Sequence, residues 1–297
     1  IQLNKPKLDN GVAGLILTHG RADKVITYEV LRKQGYTGRI YLMVDDEDAQ
    51  IDDYKRLYGD QVIVFSKQEA IDMTDAGDNF KKRNGVVFAR NYNFKVAKDL
   101  KLKYFLQLDD DYTGFAFAFD NQKKFLTTKR AATKNLDRVF RACVKFLVAS
   151  DFDSVAFGQG GDFIGGQAGR AAKLHVKDKF LRKVMNTFFF RTDRPLKFMG
   201  SINEDVNLYV SGGLKGKKFA TIMRMRIDQK QTQSNSGGLT DIYLDLGTYI
   251  KSFYSVMYAP SCVHVYEMGV NHKRLHHMVT WKNTAPLIID EKWKQIS

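Results

Sequence analysis

The chain has 297 residues, of which 44% are hydrophobic and 12% aromatic, so it can bury a full core and is expected to be globular. No apolar stretch approaches the roughly 20 residues of a membrane span and no leader opens the chain, so we expect a cytoplasmic protein. Its two cysteines exclude a disulfide framework, and its net charge of +14 favours a polyanionic partner, with nucleic acid the leading choice.

The order of apolar runs predicts an α/β fold. Short β-rich runs alternate with helical patterns through the first half of the chain, an order typical of a mainly parallel sheet flanked by helices. In chain order we predict strands at 12–18, 39–44, 61–65, 103–108, 115–119, 153–159 and 185–192, and helices that include 24–34, 90–100 and 131–149. The glycine-rich segment 158–169 has neither P-loop nor dinucleotide spacing, so we interpret it as a mobile loop near a substrate.

Three adjacent carboxylates, Asp109, Asp110 and Asp111, end the predicted strand at 103–108. Like charges held together at a strand end repel one another, and a hard divalent cation with oxygen ligands is the usual compensation. The carboxyl ends of parallel strands also form the edge of the sheet where ligands bind. The sequence therefore predicts a metal site for a nucleotide diphosphate, with a solvated acidic turn as the alternative.

A second acidic motif lies in the segment Gly200–Leu208, whose sequence is GSINEDVNL. Either Ser201 or Asn203 could cap a helix, and Glu204 and Asp205 would then lie in its first turn, where the helix dipole favours anions. The two acids could also serve only to stabilise the helix start.

Together these two motifs resemble those of GT-A glycosyltransferases. In that family an Asp-x-Asp motif at a strand end holds Mn²⁺ or Mg²⁺ on the sugar-nucleotide diphosphate, and a later x-Glu-Asp motif begins a helix under the acceptor. The resemblance implies that Asp109 and Asp111 bind the metal. It also implies that Asp205 is the catalytic base, with Glu204 as the alternative.

Other segments resemble, more narrowly, the phage TET-associated glycosyltransferases, which attach sugars to hydroxymethylated bases in DNA. These segments have the sequences LTHGR at 17–21, VFARN at 87–91, TQSNSGG at 232–238 and RLHH at 274–277. The first two also occur in broader GT-A enzymes, and only the last two point to the narrower family. The resemblance implies one GT-A domain over 1–297, with a nucleotide-sugar half at 1–112 and an acceptor half with a smaller β region at 113–297.

The resemblance also implies donor-site and metal-site residues. The predicted donor contacts are Thr18, His19, Arg21 and Asp45 with the nucleoside, Arg90, Asn91, Asp109 and Asp110 with the sugar, ribose or diphosphate, and Lys273 and Arg274 with the diphosphate. His272 and His276 are the predicted additional metal ligands. Phe188, Phe189, Phe190 and Tyr254 are aromatic candidates for stacking on a flipped base.

The predicted function is therefore metal-dependent transfer of a sugar, from a UDP-sugar in the first instance, to a hydroxymethylpyrimidine of double-stranded DNA. Hydroxymethylcytosine is the favoured acceptor, the phage-infected bacterial cell is the setting, and inversion is slightly favoured. The alternatives are a glycosyltransferase acting on a polysaccharide or lipid, a sugar nucleotidyltransferase and a non-catalytic nucleic-acid binder.

Overall fold

The computed structural model describes residues 11–78, 83–126, 132–229, 249–269 and 273–286. Its strands are β1 (Val12–Leu17), β2 (Arg39–Asp45), β3 (Val62–Phe65), β4 (Tyr104–Asp109), β5 (Tyr112–Phe117), β6 (Ser154–Gly158), β7 (Phe188–Arg191), β8 (Phe219–Gln229), β9 (Val263–Met268) and β10 (Arg274–Val279). Its α-helices are α1 (Ile26–Lys33), α2 (Ile51–Tyr58), α3 (Lys67–Asp72), α4 (Val86–Asp99), α5 (Leu136–Ala149), α6 (Arg170–Val176), α7 (Glu204–Leu214) and α8 (Ile250–Tyr258).

An eight-stranded sheet forms the centre of the fold, in the order β3-β2-β1-β4-β7-β6-β8-β5. The pairs β1–β2, β1–β4, β2–β3 and β6–β8 are parallel, and β7 and β5 pair antiparallel with their neighbours. A separate antiparallel sheet contains β9 and β10. The predicted α/β fold, with a mainly parallel sheet and a smaller β region, is confirmed.

Helices cover both faces of the large sheet because its strands carry apolar residues on both sides. On one face, Leu31 of α1, Tyr54 of α2 and Phe140 of α5 pack in one buried cluster. On the other face, Val87 of α4 and Val206 of α7 belong to a second cluster. None of the helices among the described residues combines the length and apolar character that a membrane span requires.

The link between β4 and β5 shows that the sheet curls. Only Asp110 and Asp111 join these two strands, although β7, β6 and β8 lie between them in the sheet. Four strand spacings in a flat sheet would measure about 19 Å, whereas three extended residue steps reach about 11 Å at most. The edge strand β5 therefore returns beneath α1, where Gln34 donates from Nε2 to the carbonyl oxygen of Phe115 over 2.8 Å.

Most predicted elements agree with the structure to within a few residues. The predicted extra strand at 115–119 begins earlier, at Tyr112, and the helix predicted at 131–149 begins at Leu136. The direction of each strand in the sheet was not predictable from composition. The strand predicted at 185–192 corresponds to β7, which runs antiparallel to β4. The glycine-rich loop contains two short 3-10 turns, Gly160–Phe163 and Gly166–Ala168.

Candidate active site

The turn between β4 and β5 holds the three carboxylates at the carboxyl end of the central strand. Thr27 of α1 fixes this turn at three points. Its Oγ1 donates to the carbonyl oxygen of Asp109 over 2.6 Å and accepts from the amide of Tyr112 over 2.9 Å. Its own amide donates to the carbonyl oxygen of Asp110 over 3.0 Å. These bonds determine which way each carboxylate projects.

The three carboxylates have different partners. Asp110 accepts from Thr18 Oγ1 over 2.9 Å and from Arg21 Nη1 over 3.1 Å, so its charge is compensated within the fold. Asp109 accepts from Arg90 Nη2 over 3.0 Å. Asp111 accepts from the Nε2 of Gln229 over 3.0 Å, and no described residue hydrogen-bonds its second oxygen. Among the described residues, Asp109 and Asp110 have arginine partners and Asp111 has none, so Asp111 is the carboxylate of the turn whose charge a ligand would compensate.

Electrostatics at the turn favour a cation beside Asp111. Burial, together with the neighbouring charges of Asp109 and Asp110, raises the pKa of Asp111 to about 6. Burial also raises the pKa of Asp109 and of Asp110, even though Arg90 and Arg21 act in the opposite direction. Burial is the largest cause of all three shifts, and the charges of Asp109 and Asp110 add to it at Asp111, where a cation would favour the ionised carboxylate.

Arg90 connects this turn to the second acidic motif. Its Nη2 donates to Asp109, and its Nε donates to Glu204 Oε1 over 3.0 Å. The guanidinium is buried, with its carbon 5.0 Å from the ring centroid of Phe188 and 5.7 Å from that of Phe198. A single buried cation therefore holds the strand-end and helix-start acids in one network.

The start of α7 differs from the predicted capping. Asn203 is the N-cap residue with φ of +55°, yet its side chain makes no capping bond. Instead its Nδ2 donates to the carbonyl oxygen of Lys251 over 2.6 Å and contacts His277 Nδ1 at 3.3 Å. Ser201 donates to the carbonyl oxygen of Ala76. The predicted cap was therefore wrong, because both side chains bind neighbouring segments rather than the helix amides.

Glu204 and Asp205 are both buried but are not equivalent. Glu204 is committed to Arg90, and burial raises its pKa to about 7. Asp205 accepts from the amide of Val206 through Oδ1 over 2.7 Å, and no described residue hydrogen-bonds its other oxygen. Burial raises the pKa of Asp205 as well. Of the two acids, Asp205 is the one that forms no ion pair with a described residue, so it is the better candidate to accept a proton from a bound molecule.

Polar side chains after β1 and β2 meet at the same edge of the sheet, as predicted. His19 Nδ1 lies 2.8 Å from Asp45 Oδ2 and 3.5 Å from Asp48 Oδ2. The bond to Asp45 raises the pKa of His19, whose side chain is 60% exposed. Lys67 lies 3.2 Å from the same carboxylate. Burial raises the pKa of Asp45, but His19 and Lys67 outweigh it and leave the pKa below its ordinary value.

Five of the residues predicted to contact the donor or a flipped base are buried and have partners within the protein. Asn91 donates to Thr74 Oγ1 and to the carbonyl oxygen of Phe198, and it accepts from the amide of Phe198 over 2.8 Å. The rings of Phe188, Phe189 and Phe190 are fully buried in the core. Their predicted stacking on a base is therefore wrong, since no ring face is exposed. Tyr254 is also buried, and its hydroxyl donates to Asp78.

The C-terminal hairpin carries the remaining predicted residues. His276 Nδ1 lies 2.8 Å from the carbonyl oxygen of His277, and Lys273 pairs with Glu267 at 2.8 Å. Arg274 is exposed at the start of β10. No measured contact links these side chains to Asp111, so their donor and metal roles stay predictions. His272 and the segment 232–238 lie outside the described residues.

The residues at the turn fit a hard divalent cation only in part. Oxygen donors and excess negative charge suit Mg²⁺ or Mn²⁺. However, no three His, Cys, Asp or Glu side chains within the described ranges form a metal-binding group, and Asp109, Asp111 and His276 are not brought together as one. Mg²⁺ is commonly held by one or two carboxylates plus substrate phosphates and water. Asp111 fits that mode of binding.

Sequence reasoning missed several side chains that build this site. Gln229, Asp48, Lys67 and Tyr54 contact the predicted residues, and each comes from a segment distant in sequence. Gln229 is an ordinary polar residue at a strand end, so only the pairing of β5 with β8 reveals its position.

Comparison with known proteins defines the family. The chain belongs to the TET-associated glycosyltransferases, since the sequence model of the family described as TET-Associated Glycosyltransferase matches residues 14–238. This match runs from within β1 to beyond β8 and includes both acidic motifs and Arg90. The predicted resemblance is confirmed. No curated protein sequence matches the chain significantly.

Several solved structures are partly similar to this chain. The mannosyltransferase PcManGT from Pyrobaculum calidifontis is 10% identical, with coverage of 84% of this chain and 74% of that one and a TM-score of 0.43. Glucosyl-3-phosphoglycerate synthase from Mycobacterium tuberculosis is 10% identical, with coverages of 93% and 88% and a TM-score of 0.48. For residues 1–349 of TarS from S. aureus, the identity is 14%, the coverages are 83% and 66% and the TM-score is 0.40.

Proposed function

We propose that the protein transfers a sugar from a nucleotide sugar to the hydroxyl of a 5-hydroxymethylpyrimidine in double-stranded DNA. The observation that carries the proposal is the buried network in which Arg90 joins Asp109 to Glu204. Through it, a strand-end site suited to a donor lies next to a helix-start site that has an available carboxylate, Asp205. The family match and the net charge of +14 support this function.

The donor would lie along the edge formed by β1, β2 and β4. His19 is exposed and held by Asp45, which suits it to contact a nucleoside, and Arg21 lies beside the diphosphate position near Asp110. UDP is the first nucleotide to test. The hydrogen bonds of Asn91 support a positioning role, in which it holds the Phe198 segment against α4.

A divalent ion would offset the charge that develops on the leaving nucleotide diphosphate. We propose that Asp111 holds Mn²⁺ or Mg²⁺, and that the diphosphate supplies further oxygen ligands. Asp109 keeps Arg90 in place and closes the site from the core side. Arg21, 28% exposed in its side chain, adds positive charge at the same edge.

Asp205 would take the proton from the acceptor hydroxyl. A hydroxymethyl group is a weak nucleophile, and a positioned base overcomes this by removing the proton as the new bond forms. Burial raises the pKa of Asp205, which makes its carboxylate a stronger base than an exposed aspartate. A base on the acceptor side suits a single displacement with inversion at the sugar carbon.

The acceptor is the part of the proposal that an experiment decides most directly. The protein is incubated with duplexes containing either cytosine or 5-hydroxymethylcytosine, with a panel of UDP- and GDP-sugars and Mn²⁺, and the nucleosides are analysed by mass spectrometry. We expect a hexose or pentose mass increment on hydroxymethylcytosine alone. Transfer to a polysaccharide or lipid acceptor, with unmodified nucleosides in every duplex, would contradict the DNA acceptor.

The role of Asp205 gives a kinetic prediction. General-base catalysis typically contributes about 100- to 10,000-fold, so we expect Asp205→Asn to lower kcat by that order. The KM for the donor should stay nearly unchanged, because the base acts on the acceptor hydroxyl. Steady-state kinetics with hydroxymethylated duplex measure both quantities.

Glu204→Gln is the matched control for Asp205→Asn, because the two acids are adjacent and both buried. It removes a charge that Arg90 holds, so we expect a loss of stability together with activity. Loss of donor affinity in Asp205→Asn would instead assign Asp205 to the donor site.

A further inference from the structure

A cavity of about 340 Å³ lies outside the network of Asp111 and Arg90. We call it the Trp281 cavity, and its walls are Gly161, Asp162, Ile164, Arg170, Ala171, Leu181, Lys183 and Trp281. Ligand pockets measure about 300 to 1,000 Å³, so the cavity suits a single small unit such as one nucleotide. Ile164 at its wall is 78% exposed, which leaves an apolar side chain open to an incoming group.

Two contacts connect the Trp281 cavity to the proposed base. Tyr209, one helical turn after Asp205 in α7, stacks on Trp281 with 5.5 Å between ring centroids. Lys183 forms an ion pair with Asp162, and its charge also acts on Asp205. The cavity therefore lies against α7, the helix whose first turn carries Asp205.

The surface around the Trp281 cavity is strongly basic. The segment 170–183 carries six basic residues and one acidic residue, Asp178, which pairs with Lys123 at 2.8 Å. The exposed cations of this segment are Arg170, Lys173, Lys177, Lys179 and Arg182. We call it the basic segment. Arg182 is engaged with Trp281: it donates to the carbonyl oxygen of Trp281, and its guanidinium carbon lies 5.6 Å from the centroid of the Trp281 ring. Such a density of exposed charge on α6 and the chain after it suits a phosphate backbone.

We propose that the basic segment binds the backbone of duplex DNA and that the Trp281 cavity receives the target pyrimidine after it leaves the base stack. This inference rests on the proposed function and assigns its acceptor site. The hydroxymethyl group of a stacked pyrimidine lies in the major groove, where a carboxylate buried in the protein does not reach it, so the nucleotide has to rotate out. The cavity combines an aromatic residue with one acidic and two basic side chains, which suits a planar ring with polar edges.

A neutral glycan would have no need of the basic segment. Its hydroxyl groups are recognised by hydrogen bonds, and neither six cations nor a steep salt dependence would follow from such contacts. Arg170 and Lys183 of the basic segment line the cavity itself, so the segment's charge begins at the cavity wall, which favours DNA over a glycan.

Binding of unmodified duplex without any donor tests the basic segment. We expect Lys173→Glu with Lys177→Glu to weaken binding by about 10-fold or more and to lower the salt dependence of the dissociation constant, since two phosphate contacts are lost. The matched control is Lys55→Glu with Lys98→Glu, which makes the same change of net charge on α2 and α4. If both double variants weaken DNA binding equally, the effect comes from net charge alone, and the assignment of the basic segment as the DNA-binding surface is overturned.

Fluorescence of Trp281 tests the cavity. The chain has two tryptophans, so Trp293→Phe leaves Trp281 as the single reporter. In that background we expect a duplex with one 5-hydroxymethylcytosine to quench the emission and an abasic nucleotide at the same place not to do so, because a base entering the cavity contacts the indole. Equal emission with both duplexes would overturn the base assignment.

Turnover separates this inference from the proposed function. Ile164→Trp fills the mouth of the cavity without altering the core, and we expect it to lower kcat/KM for hydroxymethylated duplex about 10-fold or more while backbone binding is kept. Unchanged turnover would overturn the cavity assignment. If the wild type quenches with duplex but transfers no sugar, the cavity stands and the proposed transfer reaction fails.

Discussion

Asp111→Asn should abolish sugar transfer and at the same time raise the melting temperature at neutral pH. Loss of a metal that contributes several kcal/mol to the transition state corresponds to about 1,000-fold or more in rate. EDTA should abolish sugar transfer by the wild type, and Mn²⁺ should restore it. Transfer that persists in EDTA would refute the metal role of Asp111.

The gain in stability follows from the direction of the pKa shift of Asp111. Its pKa rises from 3.8 to about 6 on folding, so the folded state binds the proton more tightly than the unfolded state. The contribution of this shift to the free energy of unfolding is present in full below about pH 4 and is lost as the pH rises through about 6. Asparagine carries no charge to lose, so differential scanning fluorimetry at neutral pH should show the variant above the wild type.

The same pKa predicts the acidic limb of the activity profile. Because a metal binds the ionised carboxylate, kcat/KM should rise with pH through about 6. Gln229→Leu removes the hydrogen bond that favours ionised Asp111, so its acidic limb should shift to higher pH. If the acidic limb does not shift in this variant, the limb reports the ionisation of a group other than Asp111.

Arg90→Met should lower the free energy of unfolding by about 3 to 5 kcal/mol, because breaking a buried ion pair leaves an uncompensated charge. The variant leaves Asp109 and Glu204 without their ion-pair partner, since both contact Arg90, whose side chain is only 3% exposed. Urea unfolding at neutral pH measures the change. The loss should shrink at lower pH, where the two stranded carboxylates become protonated.

Two further variants separate charge from packing at Arg90. Arg90→Met with Glu204→Gln should recover part of the stability, because one of the stranded carboxylates is removed. Arg56→Met is the matched surface control: Arg56 pairs with Asp53 at 2.8 Å, but its side chain is 67% exposed. We expect a change within about 0.5 kcal/mol there. An Arg90 variant as stable as this control would refute the network as a stabilising element.

The sequence predicted the positions of the acids but not their partners. Asp109 to Asp111 follow a continuous apolar run, and Glu204 and Asp205 follow a turn, so both motifs are visible in local patterns. Which acid is neutralised and which stays available depends on Arg90 and Gln229. Their positions depend on strand order and pairing, which residue periodicity does not encode.

Predictions failed where burial decided the outcome. The run Phe188–Phe190 carries aromatic residues next to a basic one, as a nucleic-acid surface does, yet it forms the buried strand between β4 and β6. Trp281 has no distinctive neighbours in sequence and was not singled out. It becomes a candidate only through its contact with Tyr209 and its place in the wall of the cavity.

The curled sheet has a consequence for the order in which the protein folds. The carboxylate of Asp111 is fixed by a hydrogen bond from Gln229, which lies 118 positions further along the chain. The bond from Arg90 to Glu204 likewise joins residues that are 114 positions apart. Contacts between residues so far apart in sequence form late in folding, because closing the long loop between them costs entropy before the contact stabilises the chain. A nascent chain that ends before β8 can therefore form the edge that carries His19 and Asp45, but it cannot yet form the bond from Gln229 to Asp111. Donor binding should appear only with the last stage of refolding, as a slow phase after the gain of helical signal.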